Sequence, residues 1–184
     1  MYYGALEAGG TKMVCAIGDA DKNIIDRISI PTGTPDQSVP AMIDYFKKYD
    51  ISALGIGTFG PADINPNSPT YGSIMRSPKK DWEGFSLYKA FTDALGCLVV
   101  VDTDVNAAAW GEYLYGALKG LNSGMYLTVG TGIGGGIISD GRLIHGMEHP
   151  ETGHILIPRR TGDDIPCTCR FHQSCVEGLA AFFE

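Results

Sequence analysis

The strongest constraint on this chain is its rhythm: short apolar runs, each stopped by glycine, proline or asparagine before it can extend into a long helix. Tyr2–Glu7, Thr11–Gly18 and Ile24–Ile30 are three such runs, and Gly9-Gly10 breaks the first from the second. Short apolar runs bounded by turn residues predict three strands in an antiparallel meander. The period then changes. Ala41, Met42, Tyr45 and Phe46 fall at helical spacing within Pro40–Tyr49, since residues three and four apart share one helix face. Ala53–Phe59 reads as a strand, residues 60–81 as a loop rich in Pro, Asn and Ser, and Phe85–Leu95 as a helix. Leu98–Val101 is a short buried strand, and Val105–Leu118 an alanine-rich helix with Asp104 near its start. Met125–Val129 and Ile133–Ser139 are strands around a glycine-rich turn; residues 146–175 are irregular and 176–184 begin another helix. The order βββαβαβα, then ββ, predicts a mixed sheet in an α/β layer.

Such a layer needs a core, and the composition supplies it: 44% of the 184 residues are apolar and 19% charged. Disorder through low hydrophobicity is excluded, and the length suits one domain or one and a fraction. A net charge of −7 argues against binding a nucleic-acid backbone. No apolar stretch approaches the ~18 residues of a membrane span. The start MYYGALEAGG lacks the basic opening and apolar run of a secretory signal. The expected location is cytoplasmic, without a membrane partner. In that reducing compartment the five cysteines are not expected to form a disulfide framework. Cys15 and Cys97 lie in apolar runs and read as small core residues.

Glycine reaches 25 of 184 residues, about twice the usual ~7%, and it clusters. Glu7-Ala8-Gly9-Gly10-Thr11-Lys12 joins the first two strands. Glycines let backbone N–H groups approach a phosphate, and Thr11 and Lys12 add donors. Gly130-Thr131-Gly132-Ile133-Gly134-Gly135-Gly136 contains a formal G-x-G-x-x-G. The dinucleotide fingerprint requires a helix next, whereas Ile137-Ile138-Ser139-Asp140-Gly141-Arg142 reads as strand and turn. Two glycine hairpins instead suggest a two-sided clamp on the phosphates of a nucleotide. Asp102-Thr103-Asp104-Val105-Asn106 follows a buried strand, where α/β sheets place ligand contacts. A carboxylate there can take the proton of a hydroxyl nucleophile in phosphoryl transfer. Equally, an aspartate opening a helix can simply cap it. Glu151-Thr152-Gly153-His154 precedes Cys167, Cys169, His172 and Cys175. The spacing Cys169-x₂-His172-x₂-Cys175, with His154 as a more distant fourth ligand, suits a closed tetrahedral zinc site. Cys167 could replace Cys169 or His172, or stand by.

Together and in this order, these motifs resemble the ROK family of sugar kinases, and within it the bacterial fructokinase branch. The wording that carries the resemblance is Glu7-Ala8-Gly9-Gly10-Thr11-Lys12, Gly57-Thr58-Phe59-Gly60-Pro61, Asp102-Thr103-Asp104-Val105-Asn106, His149-Pro150-Glu151-Thr152-Gly153-His154 and Cys169-Arg170-Phe171-His172. The resemblance implies the actin-like, ribonuclease-H-like ATPase fold: a mixed sheet with flanking helices. Residues 1–118 would form the N-terminal lobe, and 119–184 the start of an incomplete second lobe. It implies phosphorylation of a hexose, foremost fructose to fructose 6-phosphate, by ATP with Mg²⁺, with Asp104 as general base. Asn106, Glu151 and His154 would touch sugar hydroxyls. Gly9, Gly10, Thr11 and Lys12 would form the first phosphate loop, and Thr131, Gly132 and Gly134 the second. His154, Cys169, His172 and Cys175 would bind structural zinc, and the longer family members imply a homodimer. Most of the wider family has aspartate where Glu7 stands, while the fructokinase branch has glutamate. Because family members are longer, the alternatives are a catalytically incomplete zinc-containing sugar-binding fragment, or a kinase for glucose, mannose or an N-acylhexosamine. A sugar-responsive repressor fits poorly, since Met1 leads straight into the first strand.

Overall fold

A computed structural model describes the chain except Pro78, Thr131, residues 147–149 and residues 182–184. The described residues fall into two compact units, Met1–Ala107 and Ala108–Glu184.

In the first unit β1 (Tyr2–Ala8), β2 (Lys12–Asp19) and β3 (Ile24–Pro31) form the expected meander. Helix α1 (Pro35–Phe46) leads to β4 (Ile51–Thr58), and α2 (Leu87–Leu95) to β5 (Leu98–Thr103). The sheet order is β3-β2-β1-β4-β5, with β4 parallel to both β1 and β5. β1 alternates: Gly4, Leu6 and Ala8 are buried, and their neighbours face outward, as the two-residue period of a strand requires. Leu6, Leu54, Ile56, Val99 and Val101 meet Met42, Phe46 and Phe91 in one core. Phe46 of α1 and Phe91 of α2 touch edge-to-face at 6.0 Å.

Helix α1 starts five residues before the Pro40 expected from apolar spacing. Its start is set by capping rather than by the apolar face. Pro35 occupies the first turn, where its missing N–H costs nothing. The Gln37 side chain accepts the Thr34 N–H at 3.2 Å, which is the reciprocal arm of a capping box. Pro40 stands inside the helix. Helix α2 likewise begins at Leu87 rather than Phe85, because Ser86 caps it by accepting the Lys89 N–H at 3.1 Å. Gly96, left-handed at φ 64°, ends it. In the loop before α2, buried Trp82 donates from Nε1 to the Gly33 carbonyl at 2.9 Å.

Helix α3 (Asp104–Tyr115) carries the division between the units. The second unit continues with β6 (Gly124–Val129), β7 (Ile133–Ser139) and the short β8 (Arg142–Leu143), antiparallel in that order. A single 3₁₀ turn covers Thr152–His154, and α4 spans Val176–Ala180. Helix α4 is shorter than expected: Ala181 is extended at φ −68°, ψ 150°. No helix among the described residues is long and apolar enough to cross a membrane.

Candidate active site and metal centre

β1, β4 and β5 run parallel, so their carboxyl ends share one edge of the sheet. Ligands of α/β sheets bind outside that edge, and three of the sequence motifs end there. Glu7, Gly57 and Asp102 are register partners across the three strands, as are Ala8, Thr58 and Thr103 one step further. The Phe59 N–H donates to the Ala8 carbonyl at 2.8 Å, which carries the pairing one residue beyond the strands. Glu7, Gly57 and Asp102 therefore lie on one face.

The turn between β1 and β2 closes on itself. The Gly9 N–H donates to the Lys12 carbonyl at 3.0 Å, and a Cβ on Gly9 would lie 2.6 Å from that oxygen. Thr32 clamps the turn from beyond β3: its N–H donates to the Thr11 carbonyl at 3.0 Å and its Oγ1 to the Gly9 carbonyl at 2.8 Å. One of the N–H groups that the sequence offered to a phosphate is thus spent inside the turn. Gly10, Thr11 and Lys12 remain on the exposed side. Lys79 joins them, its Cε 3.7 Å from where a Cβ of Gly10 would stand. Lys79 sits in an irregular loop and belongs to no motif.

Asp104 stands at a junction without a loop: β5 ends at Thr103 and α3 begins at the next residue. The half-buried Asp104 accepts the Val105 N–H on Oδ1 at 2.8 Å. Thr103 Oγ1 accepts the Asn106 N–H at 3.2 Å. Both bonds satisfy donors that a helix start leaves over. Asp102 Oδ1 accepts the Thr103 N–H and Asn106 Nδ2, each at 2.7 Å. Asn106 is completely buried. Gly57 leaves room for this turn: a Cβ there would lie 2.9 Å from Ala107 Cβ and 3.3 Å from Asp104 Cα.

In the second unit the Gly130 N–H donates to the Gly132 carbonyl at 2.9 Å, forming the β6–β7 turn. Thr131 lies outside the described residues. β7 begins at Ile133, so Gly134, Gly135 and Gly136 are strand residues, and Gly134 pairs with Thr128. Gly135 serves a close approach, since a Cβ there would meet Thr152 Oγ1 at 2.5 Å. Gly153 presses harder still: its Cβ would fall 1.9 Å from the Ile133 carbonyl. These glycines let the segment carrying Glu151 and His154 lie flat on β7. Glu177, which the sequence reading passed over, ties the parts together. Its Oε2 accepts the Ile133 N–H at 2.9 Å, and its Oε1 stands 4.0 Å from His154 Nε2. Its only sequence signal is its place two residues after Cys175.

The other nitrogen of His154 faces sulfur. Nδ1 lies 3.7 Å from Cys169 Sγ and 3.8 Å from Cys175 Sγ, while His172 Nδ1 lies 3.5 Å from Cys169 Sγ. The four donor atoms of His154, Cys169, His172 and Cys175 all fall within 4.8 Å of one another. Zn–S bonds of about 2.3 Å and Zn–N bonds of about 2.0 Å at tetrahedral angles place neighbouring donors about 3.5 Å apart. The residues present fit that ion. Burial pushes the Cys175 thiol up, whereas the Cys175 main-chain N–H holds the Cys167 thiol down. Cys167 is not among the four clustered donors. Burial also pushes Cys15 up to about 12, as suits a thiol within the core.

The sequence pattern of the ROK family matches residues 3–182. The chain is 44% identical to a fructokinase of Pediococcus pentosaceus, over 98% of this chain and 63% of that protein. It is 45% identical to a fructokinase of Lactococcus lactis subsp. cremoris, over 98% of this chain and 62% of that protein. Among solved structures, a ROK family glucokinase from Streptomyces griseus in complex with glucose and AMPPNP superposes with a TM-score of 0.78 at 31% identity. That match covers 98% of this chain and 57% of the glucokinase. The chain thus spans less than two thirds of the length of these relatives.

Proposed function

Because the chain belongs to the ROK family, we propose that it carries the sugar and phosphate machinery of an ATP-dependent hexose kinase acting on fructose to give fructose 6-phosphate. The observation that carries this reading is Asp104 at the carboxyl edge of β5, on the same sheet edge as the Gly9–Lys12 turn. Asp104 takes the proton of the attacking sugar hydroxyl, a contribution of about 10²–10⁴ in rate. Its orientation is set by the Val105 N–H on Oδ1. Gly10, Thr11 and Lys12 hold the phosphates of ATP from one hairpin, and Thr131, Gly132 and Gly134 belong to the second. Mg²⁺ bound with ATP would supply neutralisation of the developing phosphate charge. Glu151 and His154 bind sugar hydroxyls from a segment pressed onto β7 by Gly135 and Gly153.

His154, Cys169, His172 and Cys175 hold a structural zinc, which supplies a rigid anchor for that segment. His154 Nδ1 faces the Cys169 and Cys175 sulfurs and Nε2 faces Glu177, so His154 would hold an ion through Nδ1 and keep its tautomer fixed with Nε2 left for the sugar. In this reading residues 1–118 make up the first lobe and 119–184 the start of the second. The full-length protein works in the cytoplasm as a homodimer.

A second reading is a catalytically incomplete zinc-containing sugar-binding fragment; the 184 residues span 62–63% of the fructokinases. A kinase for glucose is the variant that the glucokinase likeness favours. The test is ADP formation by the 184-residue chain with Mg²⁺, ATP and fructose, glucose, mannose or N-acetylmannosamine. Fructose-dependent ADP is expected, reduced at least about a hundredfold in Asp104→Asn with an unchanged circular dichroism spectrum. Undiminished turnover in Asp104→Asn overturns the base assignment. Fructose binding by calorimetry without ADP selects the second reading.

A further inference from the structure

Asn106 is completely buried, so its amide cannot lie open to a ligand where it stands. Its Nδ2 reaches Asp102 Oδ1 at 2.7 Å. A carboxylate donates no hydrogen bond, so this contact fixes which end of the amide faces Asp102. The carbonyl Oδ1 is left buried and without a partner among the described residues. A buried amide that keeps one strong, charge-assisted bond depends on that bond for its orientation.

The same Asp102 oxygen also accepts the Thr103 N–H at 2.7 Å. One carboxylate therefore grips the residue before Asp104 and the residue two after it. Thr103 Oγ1 closes the loop by accepting the Asn106 N–H at 3.2 Å. From below, Gly57 lets Asp104 Cα lie against β4. With no loop residue between β5 and α3, the backbone of Asp104 has no slack of its own.

We propose that Asp102 is a positioning residue: through Asn106 and Thr103 it sets the first turn of α3 and so aims the Asp104 carboxylate, and Asn106 serves that clamp rather than the sugar. The effect on turnover rests on the reading of Asp104 as general base; the clamp itself does not. What the clamp requires at 102 is an oxygen that accepts both bonds; the negative charge strengthens them but does not direct them. Asparagine at 102 keeps an Oδ1 that can accept both bonds, and alanine keeps neither.

The test compares Asp102→Ala with Asp102→Asn in the 184-residue chain by amide hydrogen exchange in NMR spectra. The Asn106 side-chain protons and the Val105 and Asn106 main-chain protons are expected to exchange slowly in the wild type and in Asp102→Asn. In Asp102→Ala they exchange at least about tenfold faster, while protection in β1 and β4 is unchanged. Fast exchange of the Asn106 side chain in the wild type overturns the clamp. Equal loss in both variants overturns the claim that an accepting oxygen rather than the charge directs the clamp. Kinetics then add a separate arm: kcat on fructose falls about tenfold further in Asp102→Ala than in Asp102→Asn, at similar KM. The expected exchange pattern, together with full turnover in Asp104→Asn, leaves the clamp standing and removes the base.

Discussion

Cys167 differs from its two neighbouring thiols in what its sulfur touches. A Cβ on Gly178 would lie 2.2 Å from Cys167 Sγ, and the Gly178 N–H donates to Cys175 Sγ at 3.3 Å. One glycine in the middle of α4 thus packs against both sulfurs, yet only Cys175 belongs to the four-donor cluster. Spacing along the chain could not choose among five donors, because Cys167 and Cys169 are equally placed in sequence. The choice is made in three dimensions, by which sulfur faces His154 Nδ1. Cys167→Ser is therefore expected to keep about one zinc per chain by elemental analysis. Cys169→Ser and His172→Ala should each weaken binding well beyond the ~10–100-fold typical of losing an outer partner. Retention of zinc in His172→Ala with its loss in Cys167→Ser would move the fourth ligand to Cys167. Glu177 shows the opposite limit of sequence reading. A glutamate in a short helix has no distinguishing pattern, and its bond to the Ile133 N–H spans 44 residues.

Most elements could be read from the sequence because a two-residue or helical period and a stopping glycine coincide. β1 to β5 stand where the apolar runs stood, and the mixed sheet with flanking helices is the one that the actin-like ATPase fold requires. Helix starts were harder. Apolar spacing records the buried face, while the start of α1 is decided by Thr34, Pro35 and Gln37, none of which carries that spacing. Helix α1 is then tied to the sheet by polar contact as well as by its core face. The Tyr49 hydroxyl, just past its end, donates to Asp26 Oδ2 of β3 at 2.6 Å. That bond is the largest influence holding the Asp26 carboxyl below its ordinary value. A depressed carboxyl favours the folded state above the unfolded pKa of about 3.9 and loses that favour as pH falls through the lower folded value. Wild-type melting temperature is accordingly expected to drop as pH is lowered below about 4. Tyr49→Phe should start lower at pH 7 and lose less on acidification. Parallel melting curves for the two proteins across that range would deny the tie any part in acid stability.

The two units are stabilised by different means. The continuous apolar core, from Leu6 to Val101, lies entirely within Met1–Ala107. Among the described residues of Ala108–Glu184, buried apolar side chains reduce to Ala109, Ile133, Ile138 and Cys175. β6 leaves Met125, Leu127 and Val129 exposed. In a stretch of this length a bound metal adds stability that a small core does not supply. The cluster around His154 is placed to hold that metal. It joins the segment on β7 to α4, which are also linked by Val176 N–H to the Ile155 carbonyl at 3.0 Å and Ile157 N–H to the Ser174 carbonyl at 2.9 Å. Metal ligation and folding are coupled where the site does not preexist in the unfolded chain. Removing zinc with a chelator is therefore expected to act unevenly. Amide protection in β7 and residues 151–180 should fall toward that of an open chain, while β1, β4 and β5 keep theirs, and the melting profile should gain a separate low-temperature step. Zinc added back should restore the single profile. A uniform loss of protection would mean that the two units fold as one cooperative body, and an unchanged profile would mean that the four donors hold their places without an ion.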